Sequence, residues 1–133
     1  MTAYVDSSAL LKLYLDEPET PVARNLLIGE RLTTGRHTYV EVRRNLARAL
    51  DGSDLGEARR RFESDWQQLD VVDIGQGVGD VAATLAERTG ARTLDALHLG
   101  AAESVGTSEA FITFDRRLAS AARSLGWTVL GAE

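Results

Sequence analysis

The chain has no cysteine. That absence excludes a disulfide scaffold, a cysteine-ligated zinc finger and thiol catalysis together, and it fits a reducing compartment. Lysine is almost missing too. Lys12 is the only one, and the other fourteen of fifteen cations are arginine. No excess of positive charge exists to offset 20 acidic residues, and the formal net charge is −5. Whole-surface affinity for nucleic acid, which needs many cations facing phosphates, is therefore not expected. Long apolar runs are missing as well. The early stretch Ala9 to Leu15 is interrupted by Lys12 and falls far short of a bilayer span. The start, Met1-Thr2-Ala3-Tyr4-Val5-Asp6, has no basic region leading into an apolar one, so no signal peptide is expected. There is no repeat, linker or low-complexity tract. The expectation is a soluble, cytoplasmic protein with no membrane association.

What is present is ordinary globular material: 44% hydrophobic and 26% charged residues in 133 positions. A chain of this length forms one domain and can bury roughly two-thirds of its unfolded surface. A single domain over 1–133 is expected. The arginines cluster at Arg43, Arg44 and Arg48, at Arg59 to Arg61, and at Arg116, Arg117 and Arg123. Their forked guanidiniums suit phosphate or carboxylate partners, although solvated helix faces would look the same.

The pattern alternates strand and helix. Short β-type runs stand at Thr2–Val5, Arg31–Thr34, Val71–Ile74, Ala110–Phe114 and Trp127–Leu130. Helical spacing covers Ser8–Leu15, Thr20–Leu27, Thr38–Leu50, Leu55–Leu69, Val78–Thr89, Thr93–Val105 and Arg116–Leu125. Thr20, Pro21 and Gly29 punctuate the second helix, and Asp51-Gly52-Ser53-Asp54 reads as a turn. Strands separated by helices predict an α/β fold, a three-layer α/β/α sandwich around a central, mainly parallel sheet. Such sheets bind ligands beyond the carboxyl ends of their strands.

Four acids fall near that edge. Asp6 and Asp115 each follow a predicted strand, Glu41 comes three residues after Thr38, and Asp95 follows Thr93 in a first helical turn. A metal ion is what gathers several carboxylates at one point. Each acid also has a purely structural reading. Thr38-x-x-Glu41 fits a capping box, Asp115 and Asp6 fit helix caps, and Asp95 suits the helix dipole. His37 is placed in a loop and His98 is read as a structural helix residue. No serine has a histidine at an informative spacing, so nucleophilic catalysis has no support.

Four segments occur in order: Val5-Asp6-Ser7-Ser8-Ala9-Leu10, Val40-Glu41-Val42-Arg43-Arg44, Arg92-Thr93-Leu94-Asp95-Ala96-Leu97-His98-Leu99, and Ile112-Thr113-Phe114-Asp115-Arg116-Arg117-Leu118. Together they resemble the motifs of PIN-domain nucleases, in particular the VapC-type toxins of toxin–antitoxin pairs. The family's acids map onto Asp6, Glu41, Asp95 and Asp115, and its supporting polar positions onto Ser8, Arg92 and Thr113. Gly100 stands where alanine is more usual. The resemblance implies a Mg²⁺- or Mn²⁺-dependent endoribonuclease in which Asp6 and Asp95 ligate metal directly, with Glu41 and Asp115 completing the site. Thr113 would orient Asp6 or Asp115, and Arg92 or Arg116 would track the RNA strand. It also implies a homodimer and a VapB-type antitoxin that blocks the acidic pocket. The amphipathic helix bearing Phe62, Trp66 and Leu69 is a candidate dimer face, or else part of the monomer core. A catalytically silent PIN-like binding module and a DNA nuclease of the same fold are the alternatives.

Overall fold

The structure, a computed structural model, describes residues 2–106 and 110–132. Five strands form one sheet: β1 (Thr2–Val5), β2 (Arg31–Gly35), β3 (Asp70–Val72), β4 (Phe111–Thr113) and β5 (Val129–Gly131). Their order is β3-β2-β1-β4-β5 and every pairing is parallel. Seven helices lie among the described residues: α1 (Ser7–Leu11), α2 (Thr20–Leu27), α3 (His37–Ala49), α4 (Gly52–Trp66), α5 (Gln76–Thr89), α6 (Thr93–Ser104) and α7 (Arg116–Ser124). No described helix is long and apolar enough to cross a membrane.

Side chains that alternate along β1 and β4 sort the molecule into three layers, because successive residues of a strand point to opposite faces. Ala3, Val5, Ala110 and Ile112 join one apolar cluster with Leu10 of α1, Leu27 of α2, Val42 and Leu46 of α3, and Phe62 and Trp66 of α4. Tyr4 and Phe111 turn the other way, onto Leu85 of α5, Leu99 of α6 and Leu118 of α7. The expected α/β/α sandwich is thus the observed one. Going outward from β1, the chain order runs to β2 on one side and to β4 on the other. The crevice between the carboxyl ends of β1 and β4 is therefore the switch point at which parallel sheets bind ligands.

Four expectations need correction. The first helix ends at Leu11 rather than Leu15, and the backbone tightens through bonds from Leu13 N to Leu10 O and from Tyr14 N to Leu11 O. This turn drops Tyr14 into the core, where its ring packs edge-on against Phe62 and its hydroxyl donates to Asp65 at 2.6 Å. Asp51-Gly52-Ser53-Asp54 is not a free turn. Asp51 is extended, and α4 begins at Gly52, with Asp54 in the first turn where the helix dipole favours an acid. Thr20 does not cap α2; its hydroxyl bridges backward, donating to Leu15 O and accepting from Glu17 N. Phe62 and Trp66 are buried in this chain's own core and offer no dimer face.

Gly100 has a packing role that composition did not signal. A Cβ there would lie 2.8 Å from the Ala82 methyl and 2.9 Å from the Val78 carbonyl oxygen, so α5 and α6 meet at a separation only glycine permits. In an isolated helix Gly→Ala would gain about 1 kcal/mol. Here the added methyl must push backbone, and overpacking of this kind costs about 1–3 kcal/mol. Gly100→Ala is accordingly expected to lower the urea midpoint, with the m-value unchanged.

Candidate active site

β1 delivers Asp6 to the switch point, and the side chain is almost fully buried. A charge in that position must be met by donors. Ser8 Oγ donates to both carboxylate oxygens at 2.8 Å, Thr113 Oγ1 donates to Oδ2 at 2.6 Å, and the Ala9 amide donates to Oδ1 at 3.0 Å. The last bond makes Asp6 the cap of α1. Burial still pushes the Asp6 pKa upward, against the opposing influence of His98, Thr113, Ala9 and Ser8.

Thr113 and Ser8 tie neighbouring strands into this arrangement. The Asp115 amide donates to Thr113 Oγ1 at 3.0 Å, and the Phe114 amide donates to Ser8 Oγ at 2.9 Å. The chain leaving β4 is thereby held against the chain leaving β1. Asp115 caps α7, with Oδ1 accepting from the amides of Arg117 at 2.9 Å and Leu118 at 3.2 Å. Asp95 sits half-buried in the first turn of α6 and, among the described residues, accepts no hydrogen bond. Its pKa is raised, by partial burial first and then by the negative charges of Asp115, Asp6 and Glu41, with His98 opposing. All four acids thus share one electrostatic neighbourhood.

Glu41 is held differently. α3 begins at His37, two residues earlier than a capping box would require, so Glu41 lies in its second turn and Thr38 is inside the helix. Thr38 Oγ1 meets Thr34 Oγ1 at 2.7 Å, and Thr34 donates to the Val5 carbonyl at 2.6 Å, fastening the start of α3 to the ends of β1 and β2. The Glu41 carboxylate takes its hydrogen bond from His98 Nε2 at 2.8 Å. Burial alone would raise its pKa, but the His98 hydrogen bond and charge, with His37 and Ser7, hold it below the usual carboxylate range.

His98 is therefore part of the site and not merely a helix residue. A carboxylate only accepts, so Nε2 donates to Glu41, while Nδ1 meets the Tyr4 hydroxyl at 2.7 Å. The Gly35 amide donates to the Tyr4 oxygen in turn at 3.1 Å. A buried line Gly35–Tyr4–His98–Glu41 runs from the back of the sheet to the acids. His37, expected in a loop, opens α3 and lies beside His98 with ring centroids 4.1 Å apart. Burial, then the His98 charge, depress its pKa to about 4, an effect only partly offset by Glu41 and the Leu94 backbone. The sequence held one signal for this: His37 and Glu41 are four apart, hence on one helix face. Tyr4 gave none, because it reads as one more core residue of a buried strand.

Arg92 is exposed and stands at the N-cap position of α6. With Arg117, Ser120 and Asp95 it lines a cavity of about 420 Å³ beside the acids. Ser8 and Thr113 both hold the Asp6 carboxylate. Arg116 is exposed on the first turn of α7.

Comparison with known proteins places this geometry. The PIN domain family matches residues 3–124. Ribonuclease VapC47 of Mycobacterium tuberculosis (strain CDC 1551 / Oshkosh) is 35% identical over 130 residues, covering 93% of this chain and 92% of the relative. Ribonuclease VapC46 of the same species (strain ATCC 25618 / H37Rv) is 36% identical over 129 residues, covering 96% and 95%. Among solved structures, the sarcin-ricin loop cleaving toxin VapC20 of M. tuberculosis superimposes with a TM-score of 0.74 at 17% identity, covering 95% of this chain and 96% of that one. FitAcB from Neisseria gonorrhoeae gives a TM-score of 0.74 at 18% identity, covering 96% and 95%. The chain belongs to the PIN-domain family, with the VapC ribonucleases.

The raised pKa of Asp95 has a measurable consequence. A carboxyl whose folded pKa lies above its unfolded value, ordinarily near 3.8, favours folding below that value. The contribution is lost as pH rises through the folded pKa. Asp95→Asn removes this loss. In chelator, its melting temperature should gain on wild type as pH rises from about pH 4 to about pH 7. A constant difference between the two proteins would show that Asp95 does not feel its neighbours' charges.

Proposed function

We propose that this chain is a metal-dependent endoribonuclease, one nuclease domain over 1–133, acting as the toxin of a toxin–antitoxin pair in the cytoplasm. The observation that carries the reading is Asp95. It is a half-buried carboxylate that accepts no hydrogen bond among the described residues, its pKa raised by burial first and then by three other acids. Such a cluster is self-repelling unless a cation enters it, and four hard oxygen donors fit Mg²⁺ or Mn²⁺. Asp6 and Asp95 would hold the ion directly, with Glu41 and Asp115 completing the set. When bound, the ion supplies an activated water and offsets the charge of the scissile phosphodiester. The relatives at 35–36% identity are named ribonucleases, which supports RNA over DNA as substrate.

The chain's own residues supply the positioning. Ser8 and Thr113 fix the Asp6 carboxylate, Thr113 also holds the Asp115 amide, and His98 orients Glu41. Arg92 and Arg117, neither with an ion-pair partner among the described residues, line the cavity beside Asp95 and would take backbone phosphates of the RNA. Arg116, exposed at the start of α7, would extend that track.

Asp6→Asn and Asp95→Asn should reduce Mn²⁺-dependent cleavage of single-stranded RNA to background. Thr113→Val, which removes only the orienting hydroxyl, should cost roughly 10–100-fold. Excess Mn²⁺ should raise the melting temperature of wild type and do so less for Asp95→Asn, because an ion that binds only the folded state stabilises it. Retained cleavage in Asp95→Asn overturns the mechanism, and equal cleavage of matched DNA overturns the substrate assignment.

The toxin reading includes a homodimer and an antitoxin that puts an Arg or Lys against the carboxylates. A neighbouring solved structure is a toxin–antitoxin complex from Klebsiella pneumoniae. Light scattering at micromolar concentration should give twice the chain mass, and a strictly monomeric mass counts against the dimer.

A further inference from the structure

One feature of the site is unused by that chemistry. Among the described residues, neither ring nitrogen of His37 makes a hydrogen bond of normal geometry, although both nitrogens are inaccessible to solvent. A buried polar atom left without a partner costs about 1–3 kcal/mol, so a pair of them on one ring calls for an occupant. The ring is also seated on purpose-made space. A Cβ on Gly35 would fall 2.6 Å from its Cε1 and 2.7 Å from its Nδ1, so only glycine lets the imidazole lie there. From that seat His37 Nε2 is 3.7 Å from Glu41 Oε1, and His98 Nε2 is 2.8 Å from the same oxygen. One ligand atom from each of the three residues lies within 4.8 Å of the other two.

We propose that His37, Glu41 and His98 form a second metal site, for a divalent d-block ion that accepts imidazole, set behind the acid cluster and sharing Glu41 with it. Two imidazoles and one carboxylate suit Zn²⁺, Co²⁺ or Ni²⁺ and do not suit Mg²⁺, which takes oxygen donors. Metal–ligand bonds of about 2.1 Å allow donor atoms up to about 4.2 Å apart, and both measured separations to Glu41 fall inside that limit. The surroundings supply what a ligating histidine needs. When Nε2 gives its lone pair to the ion, the proton resides on Nδ1, and the Tyr4 oxygen at 2.7 Å accepts from it. Among the described residues the His37 ring nitrogens meet the Leu94 backbone and the Glu41 carboxylate at 3.7 Å, neither at normal hydrogen-bond geometry. The proposal takes only Glu41 from the hydrolytic set, so it stands or falls apart from the ribonuclease reading.

These are the only two histidines in the chain, which makes the test direct. Zn²⁺ is titrated into the full-length protein labelled with ¹⁵N-histidine, with Mg²⁺ in a parallel sample. One equivalent of Zn²⁺ should shift ring nitrogens of both His37 and His98, and Mg²⁺ should shift neither as Zn²⁺ does. In the Asp95→Asn background, whose acid cluster is crippled, Co²⁺ should still bind and give the visible absorption of nitrogen ligation. Adding His37→Ala should weaken that binding by about tenfold or more. A melting curve verifies that His37→Ala remains folded before its Co²⁺ binding is compared. Zn²⁺ that leaves either imidazole unshifted, or Co²⁺ binding that His37→Ala does not change, overturns the proposal.

Discussion

The burial of Asp6 is the constraint around which this molecule is arranged. A carboxylate removed from water loses hydration worth many kcal/mol unless donors replace it. The replacement here comes from two chain segments at once: α1, through the Ala9 amide and the Ser8 hydroxyl, and β4, through Thr113. Donors from separate segments can converge only if β1 and β4 are neighbours in register, which the pairing of Val5 with Ile112 provides. The same hydroxyl of Thr113 then holds the Asp115 amide. Fixing one charge therefore fixes the exit path of two strands, and with it the start of α7.

Placing three further acids within range of that charge works against stability. The pKa of Asp95 is raised by burial first, and then by Asp115, Asp6 and Glu41. Glu41 escapes the same fate because His98 stands between it and the sheet, itself anchored by Tyr4. The cost is absorbed by ordinary packing elsewhere: two apolar clusters on opposite faces of the sheet, and the tight α5–α6 crossing at Gly100. A functional site of this kind is expected to look locally unfavourable, with compensation supplied by the core around it.

How much of this was legible beforehand depended on the range of the interaction. Strand and helix identities came through because apolar periodicity and glycine punctuation are local, as Gly90 shows by ending α5 in the left-handed conformation. The positions of Asp6 and Asp115 followed from a single inference, that strands alternating with helices lie parallel. The Thr38–Glu41 spacing misled, because a capping box and a second-turn glutamate share the same letters. Only the observed start of α3 at His37 separates them. Tyr4 and His98 were unreadable for a deeper reason. Their partnership spans 94 residues and depends on which face of β1 meets α6. Gly35 and Gly100 belong with them, since each is explained by an atom that would collide with a methyl group and not by its own backbone.

The structural and functional readings of the acids were posed as alternatives, and the geometry removes that opposition. Asp6 and Asp115 are helix caps, by bonds from Ala9, Arg117 and Leu118 amides. A carboxylate has about four lone-pair directions, so Asp115, which caps with Oδ1 alone, keeps capacity on its other oxygen, whereas Asp6 accepts on both. The cap bonds also lock the side-chain torsions, which is what a ligand held ready for an ion requires. Asp95 carries no such restraint, and Glu41 is restrained from the far side by an imidazole. The four acids thus form a graded set, from a carboxylate held on both oxygens to one that accepts no hydrogen bond among the described residues. On the proposed reading, the hydrogen-bonded carboxylates would form the fixed part of an ion site and Asp95 the part that adjusts to the ion.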